Sequence, residues 1–348
     1  MRADNRQLNQ LAKKLWEHGI AAFCPTTIST QAEELNAALE RLGSWILETR
    51  SNKNYSGALP LGIHLEGPFI NPESAGAHPS DSMQPLTLEK LQKFWEASRK
   101  TLKIITLAPE LLLSENDPTL GKATLSRIGS WAQQKGIQLS LGHSQATQTQ
   151  ARLAFECGIS GVTHAWNALS FHHRSPGALG AALGRKNVYI ELIADGTHVS
   201  PALIRWTCQL HSAGRVQQPI CFVSDCAPAA GTFKSASNEE RWYSFGPLQT
   251  IHSGKSGACR LPNGSLAGGG LLLAEAFSLW LENETRSGQG YSDQYAQKFL
   301  KQSLSYVTRF PLKALNLSPS VLRNRQLRWE LSQKSRGRFR LTWRHNSG

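Results

Sequence analysis

The feature that most constrains this chain is a series of apolar runs that each end in a titratable side chain. The runs close with Glu66, His143, His164 and Asp225, and a Gly-Pro turn follows the first of them. Short apolar runs bounded by turn residues are typical of buried parallel strands, so each side chain is expected at the carboxyl end of a strand. An unpaired charge is costly there. The four together predict a metal site on one face of a sheet or barrel, although any one alone is equally well explained as a hydrogen-bonded structural residue.

Strand and helix patterns alternate along the chain as far as Asp225. Strands are predicted over 61–66, 103–108, 137–142, 161–164, 188–195 and 220–225, after an earlier apolar run over 20–25. Helices are predicted over 5–18, 30–48, 87–98, 119–135, 146–157 and 201–212, the second of them capped by Ser29 or Thr30. This alternation predicts an α/β fold of parallel β/α units. Seven strands would fit an open doubly wound sheet, but polar groups at several successive strand ends favour a (β/α)8 TIM barrel whose first strand is missing before residue 1.

The pattern changes after Asp225. Residues 232–263 are rich in turn residues and predict a hairpin insertion, and a glycine run then leads into helices over 271–283, 292–306 and 308–315. Residues 327–331 and 338–344 alternate polar and apolar residues, which predicts a terminal β-hairpin. We therefore divide the chain into a barrel domain over 1–320 and a basic hairpin over 321–348. The apolar face of this hairpin is predicted to hold Leu327, Trp329, Leu331, Phe339, Leu341 and Trp343.

The composition indicates in which cellular compartment the protein is expected and which kinds of partner it could bind. Among the 348 residues are six cysteines with no CxxC pair, several of them in apolar runs, which favours free thiols in a reducing cytoplasm. No secretory signal is evident, the apolar stretch over 271–281 is too short to span a bilayer, and no membrane partner is expected. The net charge is +13, and residues 321–348 contribute eight basic side chains and one acidic one to it. Such a charge run is usually a solvated face, with attraction for anions, from sugar phosphates to nucleic acid, as the alternative.

Five motifs carry a resemblance to a known family. They are HLEGPF at 64–69, GHSQAT at 142–147, THAWNA at 163–168, ADGTH at 194–198 and SD at 224–225. In this order they resemble the N-acetylglucosamine-6-phosphate deacetylases, metal-dependent barrels of the amidohydrolase superfamily, from about residue 10 to residue 315. Five ordered motifs are specific where any one alone would be weak. The resemblance implies an enzyme of amino-sugar catabolism that converts N-acetylglucosamine 6-phosphate to glucosamine 6-phosphate and acetate.

The residues at the strand ends suit amide hydrolysis assisted by a metal ion. Glu66 with the imidazoles of His143 and His164 would leave a divalent ion with an open position for water, as in catalytic zinc sites. Such an ion lowers the pKa of water to about 7 and polarises an acyl oxygen. Asp225 is the candidate base for the water and acid for the leaving amine, a role that the resemblance also implies. We expect one ion per chain, zinc first, although imidazole and carboxylate also suit iron, cobalt or manganese.

Other polar residues suit an anionic sugar. Arg174 lies in a predicted loop, and arginine is the natural fork for a phosphate, so the resemblance favours that role over a solvated loop arginine. His198 resembles the family histidine that contacts the sugar and orients the acyl group. His64 lies on the same strand face as Glu66, but the family does not use it as a ligand and a structural role is favoured. The full set that the resemblance places at the substrate is Ala77, His78, Asn167, Ala168, Arg174, His198, Leu266, Ala267 and Gly268.

The chain departs from the family in three places. The opening strands have no counterpart, including the barrel strand that carries a His-x-His pair in two-metal members, and the end of a small β-sandwich survives only as the basic hairpin. Gly269 and Gly270 stand at positions where members of the family often have hydroxyl residues. Two alternatives therefore stay open: an inactive sugar-phosphate-binding protein, and an amidohydrolase acting on another N-acyl substrate. The resemblance suggests a homodimer with Arg174 reaching across, whereas the basic tail lacks the aromatic–basic motif of a nucleic-acid-binding module.

Overall fold

The computed structural model describes residues 3–117, 119–214, 219–232, 240–246, 248–253, 258–287, 293–322, 327–334 and 338–345. Its helices are α1 Asn5–Glu17, α2 Ala32–Ser51, α3 Leu88–Ala97, α4 Lys122–Lys135, α5 Gln148–Glu156, α6 Gly177–Ala182, α7 Pro201–Ser212, α8 Leu273–Ser287, α9 Asp293–Val307 and α10 Arg309–Ala314. Its strands are β1 Ala22–Phe23, β2 Thr26–Thr27, β3 Leu59–Pro60, β4 Ile63–Glu66, β5 Leu102–Leu107, β6 Gln138–Leu141, β7 Ile159–Val162, β8 Tyr189–Ile193, β9 Ile220–Val223, β10 Glu240–Phe245, β11 Leu248–Ser253, β12 Ala258–Arg260, β13 Leu266–Gly269, β14 Leu327–Lys334 and β15 Arg338–His345. None of the described helices combines the length and the apolar content that crossing a membrane requires.

Seven strands form one parallel sheet in chain order, from β2 through β4, β5, β6, β7 and β8 to β9. Each strand is parallel to the next, and their register sets Glu66 beside Thr106 and Thr106 beside Ser140. Helices connect most of these strands, so the predicted α/β fold of parallel β/α units is confirmed. Among the described strands, β2 and β9 are the two edges of this curled sheet. The eighth strand that would close a barrel stays a prediction.

The two faces of the parallel sheet differ in chemistry. The outer face packs aliphatic and aromatic side chains against the helices in one buried core. On the inner face, the hydroxyl of Thr163 donates to that of Ser140 over 2.6 Å and lies 2.7 Å from the hydroxyl of Thr106. Thr106 Oγ1 lies 2.7 Å from Nε2 of His64, whose burial lowers its pKa to about 4. His64 is therefore engaged by this hydroxyl chain, in agreement with the structural role that the sequence favoured.

Two antiparallel sheets follow β9. The strands β10 to β13 form a four-stranded sheet, which lies across and just beyond the region predicted as a hairpin insertion. The strands β14 and β15 pair as a terminal hairpin, with Trp329 opposite Trp343 and Leu331 opposite Leu341. Directly opposed residues share one face of a ribbon, so this register sets the predicted apolar positions on a common face. The division into two domains at residue 320 stays a prediction.

The predicted cap of α2 is wrong. Its N-cap is Gln31, which makes no side-chain capping bond. Thr30 instead donates its hydroxyl to Glu34 over 2.7 Å, and the hydroxyl of Ser29 lies 2.9 Å from Nδ1 of His78. A serine that resembles a helix cap in the sequence is thus a partner of a candidate site residue.

Candidate metal and active site

Four titratable residues reach the carboxyl edge of the parallel sheet. Glu66 is the last residue of β4, and His143, His164 and Asp225 each lie two residues beyond the end of β6, β7 and β9. The last three have φ angles of 49°, 31° and 47°, in the left-handed region that non-glycine residues rarely adopt. Backbone held in this region is typical of binding and catalytic sites, where the surrounding structure imposes it. His143, His164 and Asp225 therefore occupy equivalent positions at one edge of the sheet, and Glu66 reaches the same edge from the end of its strand.

Glu66, His143 and His164 form a compact buried cluster. Glu66 Oε1 lies 3.2 Å from His143 Nε2 and 2.9 Å from His164 Nε2, and the two nitrogens are 3.0 Å apart. One carboxylate oxygen and two imidazole nitrogens at this spacing could hold a metal ion, and all three are donors that zinc accepts. His143 Nδ1 donates to the carbonyl oxygen of Ser74 over 2.8 Å, which leaves its Nε2 lone pair for a metal. The donor set therefore fits a divalent ion.

Burial and mutual contact set the charges in this cluster. Burial alone would raise the pKa of Glu66, but its hydrogen bonds with His143 and His164 hold that pKa well below the usual range. Burial alone would lower the pKa of His164, yet the hydrogen bond to Glu66 and the charge of Glu66 raise it to about 9. Since a metal ligand must be a neutral imidazole, a bound cation would replace the proton that otherwise balances Glu66.

Asp225 lies beside the cluster in a different environment. It is half-buried, and burial together with the charge of Glu66 raises its pKa to about 6. Its backbone carbonyl accepts the N–H of Gly269 over 2.6 Å. A side chain at Gly269 would clash with the carbonyl of Ser224, so glycine is what lets β13 approach the end of β9 so closely. The glycine that departs from the family pattern at this position thus has a packing reason.

Two further histidines near the site have different partners. His78 packs edge-on against His143, with ring centroids 4.7 Å apart, and its Nδ1 lies 3.1 Å from the backbone nitrogen of Ser29. Burial, followed by the charge of His143, lowers the pKa of His78 to about 3. The Nδ1 of His198 lies 2.6 Å from Oδ2 of Asp195. Both rings are therefore oriented by buried partners that the sequence had not linked to them.

The predicted substrate residues Asn167 and Ala168 follow His164 in a tight turn. The side-chain amide of Asn167 donates to the carbonyl of His164 over 3.2 Å. Ala168 has a φ angle of 50°, and its carbonyl accepts the N–H of Ser144 over 3.0 Å. The first bond closes the turn after β7, and the second ties it to the turn after β6. Ala77 is half-buried next to His78, and the strand β13 contains the remaining predicted residues, which are Leu266, Ala267 and Gly268.

Arg174 differs from the buried cluster residues in its exposure to solvent. It is exposed in the loop between β7 and α6, and its backbone N–H donates to the ring of His172 over 3.3 Å. Within the described part of the chain, its guanidinium forms no ion pair and no hydrogen bond. Its contact with a phosphate stays a prediction.

Sequence reasoning missed two carboxylates near the site. Glu110, which follows β5, accepts hydrogen bonds from the side chains of Asn71 and Ser144 at 2.9 and 2.7 Å. It also accepts the backbone N–H of Gln145 at 2.7 Å, and so fixes the turn after β6. Glu191 is buried in the middle of β8, and burial raises its pKa to about 7. A carboxylate just after a strand, and another inside an apolar run, were the sequence signals for them.

Fold and site together define a class of protein. A parallel α/β sheet that gathers a carboxylate and two imidazoles at its carboxyl edge, with an aspartate alongside, is the arrangement of barrel-type metal-dependent hydrolases.

Known proteins of this class match the chain. N-acetylgalactosamine-6-phosphate deacetylase from Escherichia coli O157:H7 is 33% identical over 270 residues, 77% of this chain and 64% of that protein. N-acetylglucosamine-6-phosphate deacetylase from Bacillus subtilis (strain 168) is 30% identical over 276 residues, 79% of this chain and 63% of that protein. The crystal structure of N-acetylglucosamine-6-phosphate deacetylase from Thermotoga maritima is 29% identical, with a TM-score of 0.68 over 92% of this chain and 75% of that one. The chain is a homologue of the N-acetylglucosamine-6-phosphate deacetylases.

The chain spans 64% and 63% of the lengths of these two curated relatives. No protein-family model matches the chain.

Proposed function

We propose that this chain is a metal-dependent amide hydrolase that deacetylates N-acetylglucosamine 6-phosphate, giving glucosamine 6-phosphate and acetate in amino-sugar catabolism. The observation that carries the proposal is the buried cluster of Glu66, His143 and His164 with Asp225 beside it. The homology to amino-sugar 6-phosphate deacetylases supports the choice of substrate.

In this proposal Glu66, His143 and His164 hold one divalent ion per chain, and zinc is the ion that their donor atoms suit best. When bound, such an ion supplies Lewis acidity, which makes water more acidic and polarises an acyl oxygen. The carbonyl of Ser74 fixes the ring of His143 with its Nε2 lone pair towards Glu66. Iron, cobalt or manganese would be accepted by the same donors.

Asp225 acts as the base and then as the acid. With a pKa raised to about 6, it is largely ionised at neutral pH and can take a proton from the attacking water. The same raised pKa makes the protonated carboxyl a competent donor to the leaving amine. Its half-buried position beside Glu66 allows both the ionised and the protonated carboxyl to take part in the reaction.

The sugar is bound by residues around the cluster. His78, His198, Asn167 and the backbone of Ala168 contact it, and Arg174 binds its phosphate as a charged fork. The exposed position of Arg174 favours a homodimer in which this arginine serves the site of a second copy. Ala77 lies beside His78 in the contact with the sugar, and the strand that closes over it consists of Leu266, Ala267 and Gly268.

The fold proposal is a (β/α)8 barrel of which this sheet forms seven strands, over residues 1–320, with residues 321–348 as the remnant of a small β-sandwich. The edges at β2 and β9, which pair with no further strand among the described residues, support an eighth strand between them. The described cysteines are all free thiols, which supports a cytoplasmic location.

Acetate release from N-acetylglucosamine 6-phosphate by chain purified without chelators tests the proposal. The relative from Escherichia coli O157:H7 makes the galactosamine epimer the second candidate, so both phosphates and unphosphorylated N-acetylglucosamine belong in the panel. We expect turnover of the glucosamine compound that is abolished by chelation and restored by zinc. Turnover of a different N-acyl compound alone would move the chain to another amidohydrolase activity. Binding of glucosamine 6-phosphate without any turnover would instead identify an inactive sugar-phosphate-binding protein.

A further inference from the structure

Asp195 repeats the strand-end position of the candidate site but has no assigned role. It lies two residues beyond the end of β8, as His143 and His164 lie beyond their own strands. Its Oδ1 accepts the backbone N–H groups of Thr197 and His198, each at 2.9 Å. Two donors converge on that oxygen, so the carboxylate is fixed in the turn.

The second oxygen of Asp195 faces the ring of His198. Oδ2 lies 2.6 Å from Nδ1, and the two side chains are only 2% and 4% exposed. Because an ionised carboxylate can only accept, Nδ1 carries the hydrogen of this short, charge-assisted bond. The only other polar atom of the ring is Nε2, which in neutral imidazole is a lone pair.

We propose that Asp195 is a positioning residue that holds His198 in its Nδ1-protonated form, so that Nε2 accepts a hydrogen bond from the substrate. The consequence for turnover rests on the proposed function, in which His198 contacts the sugar. An amino-sugar phosphate offers donors only at its hydroxyls and its amide N–H, since its acyl and phosphate oxygens accept. His198 therefore accepts a hydrogen bond from a hydroxyl or from the amide N–H of the substrate. His78 has the opposite polarity, because its Nδ1 receives the N–H of Ser29 and its hydrogen stays on Nε2.

The substitution Asp195→Asn keeps the shape of this contact and reverses its polarity. The oxygen of the asparagine is held by the same two backbone N–H groups, so its NH2 group faces Nδ1 of His198 and can only donate. Nδ1 must then accept, and the hydrogen moves to Nε2. In chain labelled with nitrogen-15 histidine, NMR shifts of the ring nitrogens report which one is protonated, and His198→Gln identifies the signals. We expect Nδ1 protonation in the parent, Nε2 protonation in Asp195→Asn, and kcat/KM lowered roughly 10–100-fold, as for carboxylate partners of metal-site histidines.

A matched control is Asp117→Asn. Asp117 Oδ1 accepts the N–H and the hydroxyl of Thr119 at 3.0 and 2.6 Å in an exposed turn. This change should leave both the His198 tautomer and turnover unaltered.

The proposal is overturned if His198 is Nε2-protonated in the parent, or if Asp195→Asn folds and leaves the tautomer unchanged. The parent spectrum decides the question even if the variant does not fold. The tautomer is read without turnover, so an inactive parent with Nδ1-protonated His198 would refute the proposed function and support the assignment of Asp195.

Discussion

Ser29 donates its backbone N–H to Nδ1 of His78 over 3.1 Å, and its hydroxyl lies 2.9 Å from the same nitrogen. A backbone N–H can only donate, so this nitrogen is an acceptor and the hydrogen of the neutral ring is on Nε2. Burial lowers the pKa of His78 to about 3, which keeps the ring neutral at physiological pH. The chain from β2 into α2 thus fixes a ring beside the candidate metal ligand His143.

The contact between Ser29 and His78 predicts an unusual sensitivity at Gly67. Gly67 has a φ angle of 69°, and a Cβ there would clash with the hydroxyl of Ser29. Gly67→Ala should therefore cost the left-handed strain of about 1–2 kcal/mol and a steric term besides. Gly136→Ala is the matched control, since Gly136 has a φ angle of 68° and a Cβ at this position would have no other atom within 4 Å. Urea unfolding of both variants checks this, and equal losses of stability would contradict it.

The strand ends were predictable because they are local features of the sequence. An apolar run that stops at Glu66 or His143 marks both the strand and the edge at which it ends, and parallel pairing then brings such edges together. This is why six of the seven predicted strands and the Glu66–His143–His164 cluster were found where the sequence placed them. The prediction of the first strand over 20–25 is wrong, because the sheet begins with β2 at Thr26–Thr27 and the strand β1 inside that run pairs with β3 in a separate sheet.

The contacts that orient these groups were not predictable because they depend on how distant segments and individual turns fold. Ser29 fits a helix-cap pattern, and nothing near it in the sequence indicates a partner 49 residues away. Asp195 and His198 are only three residues apart, but their pairing depends on the turn that follows β8. The role of Arg174 stays a prediction, since its residue type indicates phosphate binding and its loop is exposed.

Asp225→Asn and Glu66→Gln should separate proton transfer from metal binding. The first keeps the shape of Asp225 but removes the base, so kcat should fall by about 10²–10⁴ or more while metal content persists. The second removes a charged ligand and should lower metal content and activity together. Glu156→Gln, at an exposed glutamate of α5, is the control. Near-normal kcat in Asp225→Asn, with metal retained, would refute the mechanism.

The pH dependence of turnover should report the ionisation of Asp225. Burial and the charge of Glu66 raise its pKa to about 6, and a bound cation would draw that pKa downwards. A base acts only when ionised, so kcat/KM should fall as the pH drops through a value at or below about 6 and should be level just above it. Rates measured from acidic to neutral pH check this. If the acid limb of the kcat/KM profile were centred above pH 7, its cause would be the ionisation of a group other than Asp225.

Arg174→Ala should discriminate between phosphorylated and unphosphorylated substrates. Loss of a charge-assisted contact should cost roughly 1.5–3 kcal/mol in binding the sugar phosphate, and almost nothing for N-acetylglucosamine itself. Steady-state KM values for both compounds measure the difference, with Arg152→Ala on the exposed side of α5 as the control. Equal effects on the two compounds would show that Arg174 does not touch the phosphate.

Removal of residues 321–348 should lower stability rather than alter the chemistry. The β14–β15 register sets Leu327, Trp329, Leu331, Phe339, Leu341 and Trp343 on one face, and β15 runs beside α8. A face of this composition stabilises a fold by covering another apolar surface. The deletion should therefore lower the melting temperature, by about 2–4 °C for each kcal/mol lost in a domain of 150–250 residues and by less in a longer one, with KM nearly unchanged.

A charge-neutralised hairpin separates this role from binding of an anion. The same register sets Arg328 opposite Arg344 and Lys334 opposite Arg338, and like charges directly opposed repel. Replacing Arg328 and Arg338 by glutamine should leave the melting temperature unchanged or raise it, because one member of each repelling pair is removed. Salt-dependent binding of the parent to single-stranded nucleic acid that is lost in this variant, together with a deletion that leaves the melting temperature intact, would show that the hairpin serves an anionic partner instead.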